Sequence, residues 1–275
     1  MKPKLSIVVL TYNHSDFIIK ALDSFLSQKT SFDYEIVIGD DASKDNTQQI
    51  LKEYEKKHSN IFNITYRSEN IGMLPNFVST LKACSGEYIA FCEGDDYWTD
   101  PLKLQKQVDF LAANPNYGIC FHDVMVYNNK TKTLNTDDII FNDKNEFDIE
   151  DLIKANLMHT PSVVLRNDFE IPDWLNDSPI GDWPLYIIQI KNRKIKRLND
   201  KMAVYRVHEE SAWSSKSELF RIKRTIKTID LVLNNVSLNE NSKTQLYNRR
   251  EEFNNTYLTI KGSLYKQFKR WLRSL

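Results

Sequence analysis

The sequence predicts an α/β protein with a mostly parallel central sheet flanked by helices, followed by a C-terminal helical extension. Two observations lead to this fold class. From Leu5 to about Gly118, short apolar strands alternate with amphipathic helical patterns, which is typical of a parallel sheet covered on both faces. Two of these strands also run into acidic residues, Asp40-Asp41 and Glu93–Asp96, and the carboxyl ends of parallel strands meet in one crevice.

The composition fits one large domain, or one domain with an appendage. The chain has 275 residues, is 41% hydrophobic, and carries 37 acidic and 37 basic residues. It can therefore bury a sizeable core, and it lacks the overall basic charge of a nucleic-acid-binding protein. Cys84, Cys92 and Cys120 lie in apolar contexts without a C-x-x-C spacing, which indicates reduced thiols and a cytoplasmic location. No run approaches the roughly 20 apolar residues of a membrane-spanning helix.

The first two βα units each begin with a short apolar strand. A strand over residues 5–10 ends at Thr11-Tyr12-Asn13, and an apolar helical pattern follows it. A second strand over residues 35–39 ends at Asp40-Asp41, and a second helical pattern follows. The residues between each strand and its helix include four candidate helix caps: Asn13, Ser15, Ser43 and Asp45.

The next two units complete the regular half of the chain. A short strand over residues 64–66 is broken at Asn70-Ile71-Gly72 before a third helix. The apolar strand over residues 88–92 enters Glu93–Asp96. After it, Asp100-Pro101 predicts an N-cap followed by proline at the first helical position.

The rest of the chain is predicted to be mixed and less regular. Strands are expected over residues 118–126, 162–165 and 202–205, with a helix beginning near Asp182. From about residue 214 onward the chain contains no proline and is rich in Lys, Arg, Glu and Asn, which predicts two or three helices.

The last ten residues, 266–275, are basic and place their apolar residues on one side of a helix. Such an end either packs on neighbouring helices, which we favour, or lies on an anionic bilayer surface. The second reading would make the protein a peripheral membrane protein at the inner face of the plasma membrane.

The acidic residues that follow the strand over residues 88–92 indicate a metal site. Glu93, Asp95 and Asp96 lie close together in sequence at the end of an apolar strand. Their charges repel, and desolvating any one carboxylate costs several kcal/mol unless a cation or donor compensates. A hard divalent cation is the natural partner of such oxygens.

In their order and spacing, the motifs of this chain resemble glycosyltransferase family 2, whose members are inverting nucleotide-sugar enzymes with a GT-A fold. The motifs are Ser6–Asn13, Asp40–Ser43, Asn70–Gly72 with Asn76, Glu93–Asp96, Gly181–Trp183, and Tyr205–His208 with Ser211. The resemblance covers roughly residues 4–212. It implies a GT-A domain over residues 1–212, with a nucleotide-sugar half to about 118 and an acceptor half over about 119–212, and a helical extension over residues 213–275.

The resemblance also implies how a nucleotide-sugar donor is bound. Thr11 and Tyr12 would contact the base and ribose, together with Asp40 or Asp41, of which Asp41 is favoured and the other would cap a helix. Arg206 would clamp phosphate. UDP is the favoured nucleotide because it is the commonest in the family. The full donor-binding set is Thr11, Tyr12, Asn13, Asp40, Asp41, Asn70, Gly72, Asp95, Arg206 and His208.

The metal and the catalytic base follow from the same resemblance. Asp96, Glu93 and His208 would hold Mn²⁺ or Mg²⁺, with Glu93 standing where the family often has aspartate. Asp182 would be the general base, which is compatible with its capping a helix, and Gly181 precedes it where the family more often has glutamate. His159, Thr160 and Trp183 are implied acceptor contacts.

The predicted function is therefore transfer of a sugar to a hydroxyl of a glycan or lipid-linked acceptor, in surface polysaccharide synthesis. One alternative is a nucleotidyltransferase, but the loop over residues 11–16 lacks the glycines that would cradle a triphosphate. A phosphoryl-accepting aspartate site is a weaker alternative, because no partner lysine follows at a strand end. The last is a non-catalytic module of the same fold that binds sugar nucleotides or a membrane.

Overall fold

The computed structural model describes residues 2–137, 141, 143–190, 192–209, 211, 213 and 215–272, with helix side chains described as far as residue 263. Within these residues, ten strands form one sheet: β1 (Leu5–Thr11), β2 (Tyr34–Asp40), β3 (Phe62–Tyr66), β4 (Tyr88–Phe91), β5 (Tyr97–Trp98), β6 (Tyr117–Asn128), β7 (Thr133–Thr136), β8 (Glu146–Phe147), β9 (Val164–Arg166) and β10 (Lys194–Val207). The α-helices of the same residues are α1 (Ile18–Leu26), α2 (Thr47–Lys57), α3 (Met73–Lys82), α4 (Lys103–Ala113), α5 (Ile149–Lys154), α6 (Asp182–Ile190), α7 (Glu218–Asn235) and α8 (Glu240–Leu272).

The sheet is parallel at its centre and antiparallel at its insertions. Its order is β3-β2-β1-β4-β9-β6-β10-β5, with β7 on β6 and β8 on β10. Strands β3, β2, β1 and β4 pair in parallel, and so do β6 and β10. Only one short strand, β9, separates these two groups, and it is antiparallel to β4 and to β6. The carboxyl ends of β1, β2, β4 and β10 therefore share one edge of the sheet.

Each face of the sheet buries its own apolar cluster. Helices α1 and α4 cover one face through residues such as Phe25 and Leu104, both fully buried. Helices α3, α5 and α6 cover the other, where Phe77 and Tyr186 pack on Phe91. Burying one large apolar side chain stabilises the fold by about 1.5–3 kcal/mol. These two layers hold the carboxyl-end edge rigidly while leaving it accessible.

The C-terminal helices pack on the second face and then leave it. Ile229 and Val232 of α7 and Leu246 of α8 are fully buried in the cluster of that face. Further along α8, Leu258 is 63% exposed. The predicted basic side over residues 266–275 lies outside the residues whose side chains are described. Among the described helices, none combines the length and hydrophobicity needed to cross a bilayer.

Some predicted boundaries were wrong for identifiable reasons. Neither Asn13 nor Ser15 caps α1, which begins after Phe17 without a side-chain cap. Asn13 instead adopts a φ of 56° and accepts a hydrogen bond from the Lys44 amide through its side chain. Asp100 accepts from the Leu102 amide, so Pro101 falls in a turn and α4 begins two residues later than predicted. A turn at residues 160–162 occupies the start of the strand predicted over residues 162–165.

Other predicted elements fit more closely. At α2, Asp45 accepts from the Thr47 amide, although the residue before the helix, Asn46, makes no side-chain cap. The strand predicted over residues 202–205 is the end of the much longer β10, whose first part is too polar to read as a strand. The two helices after residue 214 agree with the prediction.

Gly39 offers a test of how tightly the end of β2 is packed. A Cβ atom at Gly39 would lie 2.1 Å from Thr80 Oγ1 and 2.5 Å from Asn76 Oδ1, while Asn76 donates to the Gly39 carbonyl. We expect Gly39→Ala to lower the free energy of unfolding by about 1–3 kcal/mol through overpacking. Chemical denaturation would measure the loss.

The matched control is Gly262→Ala on exposed α8, where a Cβ meets no atom within 4 Å. Alanine has the higher helix propensity, so this variant should gain up to about 1 kcal/mol. Equal effects of the two substitutions would contradict the packing argument at Gly39.

Candidate active site

The acidic residues form a compact cluster just beyond β4. The Gly94 amide donates to the Leu10 carbonyl at 2.9 Å, which ties this loop to the end of β1. Glu93, Asp95 and Asp96 each offer a carboxylate oxygen, and these three oxygens lie within 4.8 Å of one another. A Cβ at Gly94 would lie 2.9 Å from Ile18 Cδ1 and 2.9 Å from His14 Nδ1, so a larger residue would require these side chains to move. The predicted cluster of three carboxylates is thus present as a geometric unit.

The three carboxyl groups differ in their ionisation. Burial, followed by the charges of Asp95 and Asp182, raises the pKa of Glu93 to about 8. Burial and the neighbouring carboxylates also raise the pKa of Asp96 well above its ordinary value. Burial opposes ionisation of Asp95 as well, but the hydrogen bond from His208 and the nearby histidine charges lower its pKa. Without a cation, the cluster therefore concentrates its negative charge on Asp95.

The oxygens of this cluster fit a divalent cation. Asp96 Oδ1 accepts from the Arg206 amide at 2.7 Å, and Asp95 Oδ2 lies 2.9 Å from His208 Nε2. The second oxygens, Asp95 Oδ1 and Asp96 Oδ2, are buried and have no hydrogen-bond partner among the described residues. Two oriented, buried oxygens of this kind suit Mg²⁺ or Mn²⁺, which prefer oxygen ligands.

The end of β10 supports the cluster from the opposite side. Besides its backbone contact with Asp96, Arg206 donates from Nη1 to the Asp95 carbonyl at 2.6 Å. Its guanidinium carbon lies 5.2 Å from the ring centroid of Phe17 and 4.7 Å from that of Tyr97. The His208 amide donates to Ser211 Oγ at 3.0 Å. Arg206 therefore lies behind the Asp95 backbone, whereas His208 faces the carboxylates.

The ends of β1 and β2 form the second wall of the crevice. Thr11 is buried, and its hydroxyl has no hydrogen-bond partner among the described residues. Tyr12 is 42% exposed. Both carboxylate oxygens of Asp40 are already engaged, by the Ser43 amide and hydroxyl and by Gln48 Nε2. Asp40 thus holds the turn before α2, whereas Tyr12 is exposed and the Thr11 hydroxyl is buried near Gly94.

Asp41 joins this wall to the loop after β3. Its two carboxylate oxygens accept from the Ile71 amide at 2.8 Å and the Gly72 amide at 3.0 Å. Asn70 Nδ2 donates to the Asp41 carbonyl at 3.1 Å. Gly72 has a φ of 90°, which residues with a side chain rarely adopt. Three of the predicted donor-binding residues, Asp41, Asn70 and Gly72, are therefore joined in one hydrogen-bonded network.

Asp182 stands at the start of α6, as predicted. It is half-buried, and Asn156 Nδ2 donates to its carboxylate at 2.7 Å. Burial raises the pKa of Asp182, while hydrogen bonds from the Trp183 amide and Asn156 oppose the rise. The charge of Asp182 contributes to the raised pKa of Glu93, so the two groups share one electrostatic environment. A carboxylate with a raised pKa beside a metal-type cluster is suited to accept a proton.

The predicted acceptor contacts divide into surface and core positions. His159 stacks on Tyr205, with 4.6 Å between ring centroids, and its Nε2 lies 3.1 Å from Asp137 Oδ2. Thr160 begins the turn over residues 160–162. Trp183 is only 3% exposed and donates from Nε1 to the Leu152 carbonyl at 2.8 Å. The structure thus places Trp183 in the core, where its ring is not open to an acceptor.

Three residues near the site were not predicted. Asn156 holds Asp182 but comes from an irregular segment that gives no sequence signal. Tyr186 is buried, and its hydroxyl has no hydrogen-bond partner among the described residues. It lies one turn after Asp182 on α6, and this spacing would have identified Tyr186 as a neighbour of Asp182. The ring of His14 packs edge-on against His208, with centroids 6.4 Å apart.

Comparison with known families and proteins gives consistent results. The sequence model described as Glycosyl transferase family 2 matches residues 6–170. An uncharacterized protein of Mycobacterium tuberculosis is 40% identical over 213 residues, which are 77% of this chain and 61% of that protein. The chain thus spans about three fifths of that relative's length. The putative teichuronic acid biosynthesis glycosyltransferase TuaG of Bacillus subtilis is 36% identical over 110 residues, 40% of this chain and 42% of its own.

Solved structures show the same fold at low sequence identity. TarS of S. aureus in complex with UDP superposes with a TM-score of 0.65 and 21% identity, over 93% of this chain and 72% of its own. The mannosyltransferase PcManGT of Pyrobaculum calidifontis, in complex with GDP-Man and Mn²⁺, gives a TM-score of 0.62 and 16% identity, over 91% of this chain and 70% of its own. These matches confirm the predicted α/β class and its GT-A architecture.

Glu93 makes the stability of the metal-free protein depend on pH. Its pKa rises from the ordinary 4.5 to about 8 on folding. Between those values the unfolded chain releases a proton that the folded protein keeps, so Glu93 lowers stability progressively as pH rises. In EDTA, Glu93→Gln should therefore raise the melting temperature by about 4 °C or more at pH 8, with little change at pH 5. Thermal melts followed by circular dichroism would measure it.

The control for this comparison is Glu53→Gln on the exposed side of α2. This change should leave the pH dependence of the melting temperature as it is in the wild type. A gain of equal size at both pH values for Glu93→Gln would show that ionisation of Glu93 is not the cause.

Proposed function

The chain belongs to glycosyl transferase family 2 and is a glycosyltransferase, and we propose that it is a metal-dependent inverting enzyme that uses a UDP-sugar. The observation that carries the proposal is the pair of buried oxygens, Asp95 Oδ1 and Asp96 Oδ2, which have no partner among the described residues. They lie at the same edge of the sheet as the ends of β1 and β2. A nucleotide bound along β1 and β2 would bring its diphosphate to this cluster.

Asp95 and Asp96 would hold Mn²⁺ or Mg²⁺, with Glu93 and His208 completing the site. When bound, the cation would neutralise the charge that grows on the leaving diphosphate. The protein residues have separate tasks. His208 and the Arg206 amide each hold one oxygen of an aspartate, so the other oxygen points into the site. This fixed orientation lowers the reorganisation needed when the donor binds.

The nucleoside would lie along the ends of β1 and β2. Tyr12 is exposed there and would stack on the base, while the Thr11 hydroxyl would bond to the ribose or base. Asp41 would contribute mainly by holding the loop at Gly72, and its carboxylate is shared with that loop. UDP is favoured because TarS is solved with UDP, and GDP is the rival because PcManGT is solved with GDP-Man.

Asp182 would take the proton from the attacking hydroxyl. Asn156 fixes one of its oxygens, and the helix start orients the carboxylate. The other half of the site, around His159 and Thr160, would receive the acceptor. The likeness to TuaG supports a glycan or lipid-linked acceptor used in cell-surface polysaccharide synthesis. Such an acceptor would place the enzyme at the cytoplasmic face of the membrane. The domain boundary near residue 212 would separate the domain that carries out sugar transfer from the helical extension.

The metal assignment is tested by Asp96→Asn. This change keeps an acceptor for the Arg206 amide but removes the charge that would hold the cation. We expect calorimetric titration of the wild type with UDP or GDP to show binding in Mn²⁺ that EDTA abolishes. In Asp96→Asn, binding in Mn²⁺ should fall at least about tenfold. Asp109→Asn, an exposed change on α4, is the control with the same loss of charge. Metal-dependent binding of wild-type strength in Asp96→Asn would exclude Asp96 as a ligand.

The base assignment is tested by Asp182→Asn. The amide still accepts from Asn156 but cannot take a proton, so turnover should fall about 10²–10⁴-fold. Nucleotide binding in Mn²⁺ should stay within a factor of about two. Transfer would be measured with the nucleotide-sugar that the titrations select. A turnover near that of the wild type would remove Asp182 from the role of base.

A further inference from the structure

A second polar cavity lies beside the acidic cluster, next to the start of α1. Its volume is about 480 Å³. Three cations line it, namely Lys20, Lys132 and Arg206, and three aromatic residues line it, namely Phe17, Tyr97 and Tyr127. One carboxylate, that of Asp16, also lines the cavity. The cations outnumber the carboxylate by two, whereas the neighbouring cluster is made of carboxylates.

Two of the three cations of this cavity lie over aromatic rings. Lys20 Nζ lies 3.8 Å from the ring centroid of Tyr97, and the Arg206 guanidinium carbon lies 4.7 Å from the same centroid. Within the described part of the chain, none of Lys20, Lys132 and Arg206 has a carboxylate oxygen within 4.0 Å. Their charge is therefore not neutralised by an ion pair, and an anion in the cavity would be attracted to all three.

The cavity shares a wall with the proposed donor site. Arg206 donates to the Asp95 carbonyl from the cavity side, and the Phe17 ring lies 4.9 Å from the His208 ring. In the proposed function, the acidic cluster and the cation that it would hold face the diphosphate of the donor. Arg206, to which the resemblance gave a phosphate-binding role, lines this cavity. The positive charge is thus available to a second anionic group close to the reaction.

We propose that this cavity is a subsite for an anionic group of the acceptor, either a phosphodiester or a uronate carboxylate, and this rests on the proposed glycosyl transfer. Lys20, Lys132 and Arg206 bind the anion. The aromatic faces of Phe17, Tyr97 and Tyr127 pack against the adjoining sugar or alditol unit. The acceptor is then an anionic polymer whose charged unit occupies the cavity while a separate unit of the same polymer presents its hydroxyl to Asp182.

The proposal is tested by titrating the full chain, in EDTA, with two soluble probes. One is an oligomer of glycerol phosphate, and the other is oligogalacturonate. The wild type should bind at least one of them, and the one it binds identifies the anion as phosphodiester or carboxylate. Lys20→Gln/Lys132→Gln should weaken that binding about tenfold or more, and added salt should weaken binding to the wild type. Both lysines are exposed, so the double variant should fold.

Lys29→Gln/Lys56→Gln is the control, since these lysines are exposed beyond α1 and in the last turn of α2, at the opposite end of the sheet. It should bind the probe as the wild type does. Failure of both probes to bind the wild type, or wild-type affinity in Lys20→Gln/Lys132→Gln, would overturn the proposal. Titration of the same proteins with UDP and Mn²⁺ is a separate readout. It tests only the proposed donor binding. If UDP does not bind, the titrations in EDTA still show whether the cavity binds an anion.

Discussion

Mutual repulsion among three carboxylates at the end of one buried strand is the constraint on which the rest of the site depends. Glu93, Asp95 and Asp96 are brought together by a turn at Gly94 that packs closely on the side chains of Ile18 and His14. Burial and the neighbouring carboxylates raise the pKa values of Glu93 and Asp96, which favours their neutral forms, and His208 pairs with Asp95. In the proposed function, a bound cation would offset the electrostatic cost of this arrangement.

The order of strands in the sheet brings hydrogen-bond donors to these carboxylates. Because β1, β2, β4 and β10 end at the same edge, backbone and side-chain donors from separate parts of the chain converge on the carboxylates. The amide of Arg206 and the imidazole of His208 each take one oxygen and leave another unsatisfied. At the end of β2, by contrast, both oxygens of Asp41 accept from amides of the loop at Gly72. Polar groups are thus fixed by neighbours from other strands.

Much of this could be predicted from the sequence, because apolar strands running into acidic turns are a local pattern. Strands β1, β2 and β4, the carboxylate cluster and the helix start at Asp182 all follow from residues close together in the chain. Other features depend on distant contacts. The sequence could not show that Asp40 is saturated by Ser43 and Gln48, that Trp183 is buried, or that Arg206 lies between Phe17 and Tyr97. The polar first half of β10 gave no strand pattern, since pairing with β6 sets its structure.

The pairing of His208 with Asp95 spans 113 positions of the chain. Such non-local contacts close long loops and form slowly, so regions rich in local βα units are expected to fold ahead of them. During synthesis the acidic turn emerges well before β10 does. Until the ribosome has released residue 208, the cluster lacks the imidazole and amide donors that offset its charge. The site is therefore completed only after β10 has emerged and paired with β6, whereas β9 joins the two parallel groups of the sheet.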